Sequence, residues 1–108
     1  MPSYLVQVSY TSEAVAALVK NPQDRTGIIR KSIKNLGGKL VGSWLSFGDY
    51  DVVLIADMPD NVSAAALAMA AAAGGSLKSI KTTPLLTTEE AKAAATKASE
   101  SGYTPVQQ

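Results

Sequence analysis

The apolar run Val52–Ala56, which directly follows the polar pair Tyr50-Asp51, constrains the fold of this 108-residue chain more than any other feature. Successive residues of a strand point to opposite faces of the sheet. Val53 and Ile55 therefore share one face, and the other face receives Val52, Leu54, Ala56 and Met58. A strand with one face in water alternates apolar and polar residues. The run predicts a central strand that is covered on both faces.

The rest of the chain divides into elements in the order βαββαβ, followed by one more helix. Alternating apolar residues predict strands over residues 3–10, 39–47, 50–58 and 77–86. Helical spacing and capping residues predict helices over residues 11–20, 23–36, 62–73 and 87–98, with a break at Asn21-Pro22. We therefore expect a main domain over residues 1–86, a C-terminal helix over residues 87–98 and a mobile tail over residues 99–108.

This order is typical of an α+β, ferredoxin-like fold, in which the helices cover one face of a four-stranded antiparallel sheet. The second face stays bare, although strand two is also apolar on both faces. Leu40 and Trp44 are expected on one face of strand two, opposite Val41, Leu45 and Phe47. A monomer seldom exposes an apolar patch of this size. We expect a second copy to cover the bare face, as in a dimeric α/β barrel, through Val41, Leu45, Phe47, Val53 and Ile55.

Two residue types are absent from the sequence, and their absence excludes several kinds of site. Without Cys or His there is no disulfide bond, no thiolate nucleophile and no imidazole ligand for a metal ion or haem, so we expect neither metal nor cofactor. A formal net charge of +1 argues against nucleic acid or an anionic membrane as a partner. The N-terminus resembles no secretory signal, and Ala64–Ala73 is too short to span a bilayer, so we expect a cytoplasmic protein.

The short element Gly48-Asp49-Tyr50-Asp51 is the first candidate site. In a structural interpretation, Gly48 provides a positive φ for a turn, Tyr50 packs at the start of a strand and Asp51 accepts hydrogen bonds at the sheet end. In a functional interpretation, Tyr50 donates to a ligand and Asp51 acts as a base or polar anchor. Adjacent strand residues point to opposite faces, which argues against a catalytic pair and favours the structural interpretation.

Aromatic and cationic side chains form the other candidates. Tyr4, Tyr10 and Trp44 can line a small-molecule pocket, but such residues more often pack in a core or an interface. Arg25 and Arg30 follow the Asn21-Pro22 break and can hold an anionic ligand near a helix N-terminus, although solvation at the surface is the commoner outcome.

The sequence resembles the GYD-domain family of small bacterial proteins. The resemblance is carried by the segments YLVQVSYTSEAV, LGGKLVGSWLSFGDYDVVLIADMPD and SLKSIKTTPLLTTEE, and by a G-x-Y-D element at Gly48, Tyr50 and Asp51. It covers about residues 3–90, so the tail lies outside it. The family implies a ferredoxin-like domain of the dimeric α/β-barrel type. It carries no settled biochemical activity.

Two hypotheses for function remain open. The first is a non-enzymatic assembly or small-ligand-binding module, because strand three is apolar on both faces and the sequence contains no complete catalytic constellation. The second is a cofactor-independent oxygenase or isomerase-like enzyme with a pocket between helices and sheet. Its candidate residues are Tyr4, Tyr10, Trp44 and Asp51. Apart from these residues, the hypothesis rests on analogy with enzymes of similar fold.

Overall fold

The computed structural model describes residues 1–106 of the chain, and these contain a four-stranded antiparallel sheet and four helices. The strands are β1 (Ser3–Tyr10), β2 (Lys39–Leu45), β3 (Val52–Asp57) and β4 (Leu77–Leu85). The helices are α1 (Ser12–Lys20), α2 (Thr26–Asn35), α3 (Asn61–Ala73) and α4 (Thr88–Ser99). The strand order β2-β3-β1-β4 places β1 and β3 at the centre, so the predicted α+β class and antiparallel sheet are confirmed.

The helix starts follow the capping residues of the sequence. Side-chain oxygens of Thr11 and Asp60 accept hydrogen bonds from the backbone N–H groups three residues later, at 3.1 and 2.8 Å. Thr87 and Glu90 bond reciprocally at 3.1 and 2.9 Å, which forms the predicted capping box. Three of the four helices thus begin where an orphan N–H finds an acceptor.

α2 begins three residues later than its pattern predicts. Asp24 accepts a hydrogen bond from the Thr26 N–H at 2.9 Å, and this local turn prolongs the break that Pro22 starts. The helix ends as predicted, because Gly37 adopts a φ of 83° that reverses the chain into β2.

The core lies on the face of the sheet that α1, α2 and α3 cover, here called the helix-covered face. Ile33 of α2 and Met58 beside β3 are the largest fully buried side chains. They pack with a continuous cluster of apolar residues from the sheet and α3: Tyr4, Val6, Val8, Leu40, Val52, Leu54, Ala56 and Ala64. Gly38 lets β2 approach this cluster, because a Cβ there would lie 2.5 Å from Met58 Sδ.

A β-bulge in β2 changes which side chains share a face. Leu40 pairs with Ala56, but the next pair is Gly42 with Ile55, so Val41 is the extra residue. Beyond the bulge, Trp44 pairs with Val53 and Leu45 pairs with Val52. Paired residues of a ladder share a face. The expected faces of strand two are therefore wrong for two of its residues: Trp44 lies opposite to Leu40, and Leu45 lies on the side of the helix-covered face.

α4 extends away from the rest of the chain. Every residue of α4 is exposed, and the radius of gyration of 17.3 Å exceeds the value of about 13 Å expected for a compact chain of this length. The mobile tail predicted over residues 99–108 stays a prediction. Residues 100–106 are exposed and lie outside helices and strands, whereas residues 107–108 lie outside the described residues.

Candidate functional site

The G-x-Y-D element lies in a loop of residues 46–51 between β2 and β3, here called the motif loop. Gly48 has a φ of 123°, which L side chains rarely adopt. Ser46 closes the loop from within: its backbone N–H donates to the Asp51 carbonyl at 2.9 Å and its hydroxyl donates to the Tyr50 carbonyl at 2.7 Å. These two hydrogen bonds therefore fix the conformation of the loop, which has a glycine at its tip.

The carboxylate of Asp51 joins the motif loop to the end of β1. Its Oδ2 accepts a hydrogen bond from the Tyr10 N–H at 2.8 Å, while its own N–H donates to the Val8 carbonyl at 2.7 Å. The buried Ser9 hydroxyl donates to the Asp49 carbonyl in the same region. These bonds support the structural interpretation of Asp51, since its carboxylate serves a backbone donor of the sheet.

A pocket of about 450 Å³ lies between the helix-covered face and α1, α2 and α3, here called the helix–sheet pocket. Its floor is formed by Val6, Val8, Val52 and Leu54 of the two central strands. Its walls are mostly apolar, and five polar side chains also line it. The wall residues are Ala14, Ala17, Leu18, Ile28, Ile29, Leu67, Ala70, Ala71, Gly74, Leu77 and Ile80, and the polar ones are Tyr10, Gln23, Arg25, Ser32 and Ser76.

The structure places the candidate aromatic residues in four different regions. Tyr10 lines the helix–sheet pocket. Tyr4 is buried at the opposite end of the sheet, where its hydroxyl donates to the Asn61 side-chain oxygen. Trp44 is on the other face of the sheet, and Tyr50 is in the motif loop. Among the four residues of the enzyme hypothesis, only Tyr10 lines this pocket.

Sequence reasoning missed the helical wall of the pocket. Four alanines line it, Ala14 and Ala17 of α1 with Ala70 and Ala71 of α3, and their short side chains leave space above the sheet. Small side chains allow the alanine-rich segment of α3 to lie close to the sheet. It does so at Ala64, which is buried, and leaves a gap one to two turns later. Small residues facing an apolar floor were the signal that could have indicated a cavity.

The face of the sheet that α1–α3 leave uncovered is here called the open face. Its centre is apolar: Val53, Ile55 and Leu5 are half-buried, and Trp44 is 55% exposed. In register across the four strands, the face carries Trp44, Val53, Gln7 and Lys81, then Gly42, Ile55, Leu5 and Thr83, then Lys39, Asp57, Ser3 and Leu85.

Three of the expected interface residues are freely exposed, and one of them, Leu45, lies on the side of the helix-covered face. Val41 at the bulge is 56% exposed, Leu45 is 86% exposed, and Phe47 at the motif loop is 100% exposed. Charges stay at the periphery, where Lys39 is paired in register with Asp57 and the Asp57 carboxylate accepts a hydrogen bond from the Ser3 hydroxyl. The open face thus combines an apolar centre with a rim of both charge signs.

Two carboxyl groups have lowered pKa values. Both lie at helix N-termini, outside the helix–sheet pocket and the open face. Hydrogen bonds from Ser63 lower the pKa of Asp60, and hydrogen bonds from Thr26 lower the pKa of Asp24. Within residues 1–106 no three acidic side chains gather into a group suited to a metal ion. In the same part of the chain, no helix combines the length and apolar character that crossing a bilayer requires.

The antiparallel sheet order, the helices on one face and the motif loop between β2 and β3 define a GYD-type α+β domain. The chain belongs to the GYD domain family, whose model matches residues 4–95. The resemblance identified from the sequence is therefore confirmed, and the match extends into α4.

Two known proteins resemble the chain more distantly. One is the glutamine synthetase and cystathionine beta-lyase binding protein of Thermus thermophilus, which is 26% identical over 80 residues that cover 74% of this chain and 84% of the relative. The other is MtbAldR, whose crystal structure matches with a TM-score of 0.54 and 16% identity. That match covers 80% of this chain and 52% of MtbAldR, so the chain spans about half the length of that protein. The second likeness concerns the fold alone.

Proposed function

We propose that the protein is a homo-oligomeric binding module whose open face pairs with the same face of a second copy, in the manner of a dimeric α/β barrel. One observation carries this proposal: the apolar centre of the open face, with Val53, Ile55 and Trp44, has no covering element among the described residues. Exposed apolar patches of this kind mark interaction sites.

The rim charges of the open face favour a second copy as the cover. Lys39, Lys81 and Asp57 give the face both signs of charge, so two copies can approach without one repelling field. A two-fold pairing needs a self-complementary patch, and an apolar centre with a mixed rim satisfies that condition.

α4 supports the same assembly. The open face, as three rows across four strands, spans about 400 Å² in projection at standard sheet spacings, whereas a stable interface buries about 800 Å² per partner. α4 starts beside Ile55, where Thr87 and Glu90 line a hollow with that residue. An isolated helix of twelve residues is marginal in water. We infer that α4 docks on the second copy and supplies the remaining contact area.

A protein partner is a natural extension of this proposal. The name of the Thermus thermophilus relative describes a protein that binds two enzymes. For the present chain we propose binding of a protein by the assembled oligomer, through surface that self-pairing leaves free, and binding of a small ligand in the helix–sheet pocket. The enzymes bound by the relative are the first partners to test.

The cofactor-independent enzyme remains the second candidate. The helix–sheet pocket lies where that hypothesis requires one, and Tyr10 lines it. Asp51, the proposed base, uses its carboxylate on the Tyr10 backbone and does not line the pocket. Among the described residues the lining contains no acidic side chain, which leaves Tyr10 and Arg25 as its titratable groups and favours binding over acid–base chemistry.

The oligomer is tested by native mass spectrometry of the untagged protein together with Val53→Asp. A carboxylate at the centre of the open face would be buried without a partner, so the variant is expected to be a folded monomer. Val62→Asp is the matched control, because Val62 is 79% exposed on α3 and an acid in a first helical turn is well tolerated. It should retain the oligomer of the wild type.

A wild-type monomer at micromolar concentration would overturn the proposed assembly. The same would follow from a Val53→Asp variant that keeps the wild-type oligomer and circular dichroism spectrum. An excess mass per subunit that is lost on denaturation would reveal a retained small ligand, which bears on the pocket and leaves the interface untested.

A further inference from the structure

We propose that the helix–sheet pocket binds a small monoanion with an apolar body, such as an aliphatic or aromatic carboxylate, with the anionic group at Arg25. This inference deepens the ligand-binding part of the proposed function by naming the chemical class. It concerns the face of the sheet opposite to the interface, so the two proposals can fail separately.

The helix-covered face is filled at one end and hollow at the other. At the filled end, Ile33 and Met58 are fully buried, and Ala64 packs against the same cluster. At the hollow end, Val8 and Val52 form part of the pocket floor, and the apolar side chains that pack there, such as Ile29, Leu67 and Ile80, are only partly buried. Protein cores are close-packed, so a void of this kind indicates a candidate ligand-binding site.

α1 explains why the hollow end stays open. No residue of α1 is buried, and its two valines, Val15 and Val19, are 41% and 75% exposed. The α1 residues that line the pocket are Ala14, Ala17 and Leu18, two of which are small. The helix therefore stands over the sheet as a wall of the pocket and does not fill it.

The chemistry of the lining selects the ligand. Arg25 is the one charged side chain of the lining among the described residues, and an arginine guanidinium binds a carboxylate through two parallel hydrogen bonds. Arg25 also precedes the first turn of α2, whose N-terminal dipole favours negative charge. Gln23, Tyr10 and Ser32 add neutral hydrogen-bonding groups.

The acid that directly precedes Arg25 in the sequence is engaged elsewhere. Asp24 accepts the Thr26 N–H and is not among the lining residues. A single cation above an apolar floor suits one negative charge, whereas a nucleoside diphosphate would bring several charges and need more donors. A pocket of 450 Å³ holds roughly fifteen non-hydrogen atoms at a water's share of about 30 Å³ each.

The test compares two probes of equal length, octanoate and octan-1-ol, by titration followed in ¹⁵N–¹H correlation spectra of the full-length protein. Octanoate is expected to bind saturably and to shift amides of pocket residues such as Val8, Leu18 and Ile29. Octan-1-ol lacks the charge and should bind about tenfold more weakly, the factor expected when a charge-assisted hydrogen bond is lost.

Two variants, at Arg25 just before α2 and at Arg30 within α2, distinguish binding at the anion site from nonspecific apolar binding. Arg25→Gln should weaken octanoate about tenfold and leave octan-1-ol unchanged. Arg30→Gln is the matched control, since Arg30 is an exposed arginine of α2 that does not line the pocket. It should leave both affinities as in the wild type. Ala71→Leu partly fills the pocket and should weaken both probes.

Three results would overturn the proposal: no saturable binding of octanoate, equal affinity for octanoate and octan-1-ol, or equal weakening by Arg25→Gln and Arg30→Gln. Native mass spectra of the same samples report the oligomer independently. Binding that persists in a monomeric wild type would refute the proposed assembly and leave the pocket assignment standing.

Discussion

The indole ring of Trp44 lies across Gly42 on the open face. A Cβ at position 42 would stand 2.5 Å from Cη2 of that ring, a separation that real Cβ atoms essentially never show. The two residues are neighbours on the same face because both lie beyond the bulge at Val41. The absence of a side chain at position 42 thus leaves room for the ring of the only tryptophan of the chain.

Gly42→Ala is therefore expected to lift the Trp44 ring from the sheet. Because the ring can swing toward solvent, the fold should survive, while the proposed dimer should weaken by about tenfold or more as an aromatic contact is lost. The tryptophan emission maximum and the dimer dissociation constant measure the two effects. Gly27→Ala is the control, since a Cβ there meets nothing within 4 Å. An unmoved emission maximum in Gly42→Ala would contradict the prediction.

Asp51→Ala is expected to lower the free energy of unfolding by about 1–3 kcal/mol, because the Tyr10 N–H loses its acceptor at the end of β1. Asp51→Asn keeps a side-chain oxygen and should cost less. Urea unfolding followed by circular dichroism measures both. Tyr50→Phe, at the neighbouring position of the motif, should leave stability and oligomer unchanged. Wild-type stability in Asp51→Ala would show that the carboxylate has another purpose.

The cap at Asp60 makes stability depend on pH in a predictable direction. A hydrogen bond from Ser63 lowers the pKa of Asp60 in the folded state below the ordinary value of 3.8. The stabilisation is therefore present above pH 3.8 and is lost as the pH falls through the lowered pKa. Asp60→Asn caps without titrating at this site. The melting temperature of the wild type relative to Asp60→Asn, measured from about pH 5 to about pH 2, should fall as the pH drops below the ordinary value of 3.8. A constant difference over that range would contradict the assignment.

Removal of residues 88–108 tests the role of α4. All residues of α4 are exposed, so the sheet and α1–α3 should keep their fold. The dimer should weaken, because α4 is proposed to supply interface area that the open face lacks. Sedimentation velocity at several concentrations measures the association. A truncated chain that associates as tightly as the full chain would assign α4 to another task.

The sequence predicts the fold well wherever one local rule decides. Thr11, Asp60 and Thr87 sit at helix starts because their side-chain oxygens satisfy orphan N–H groups, which is a purely local condition. Strand order follows from the sequence of elements in the same way. Gly37 ends α2 because its positive φ is strained for other residues.

The faces of β2 and the helix–sheet pocket depend on distant parts of the chain. Gly42 within a strand was a sign of a bulge, but only pairing with β3 reveals that Val41 is the extra residue. The pocket depends on how far α1 stands from Val8 and Val52, and helical periodicity does not report that distance. The anion-binding alternative for Arg25 was open from the sequence, and the apolar floor beside it was not visible there.

The bulge at Val41 divides β2 into two halves, with Leu40 and Trp44 on opposite faces of the sheet. Before it, Leu40 belongs to the interior and changes at that position alter how the chain folds. After it, Trp44 lies on the open face and is 55% exposed. One inserted residue thus lets a single strand contribute to the core with its first half and present a tryptophan to solvent with its second half.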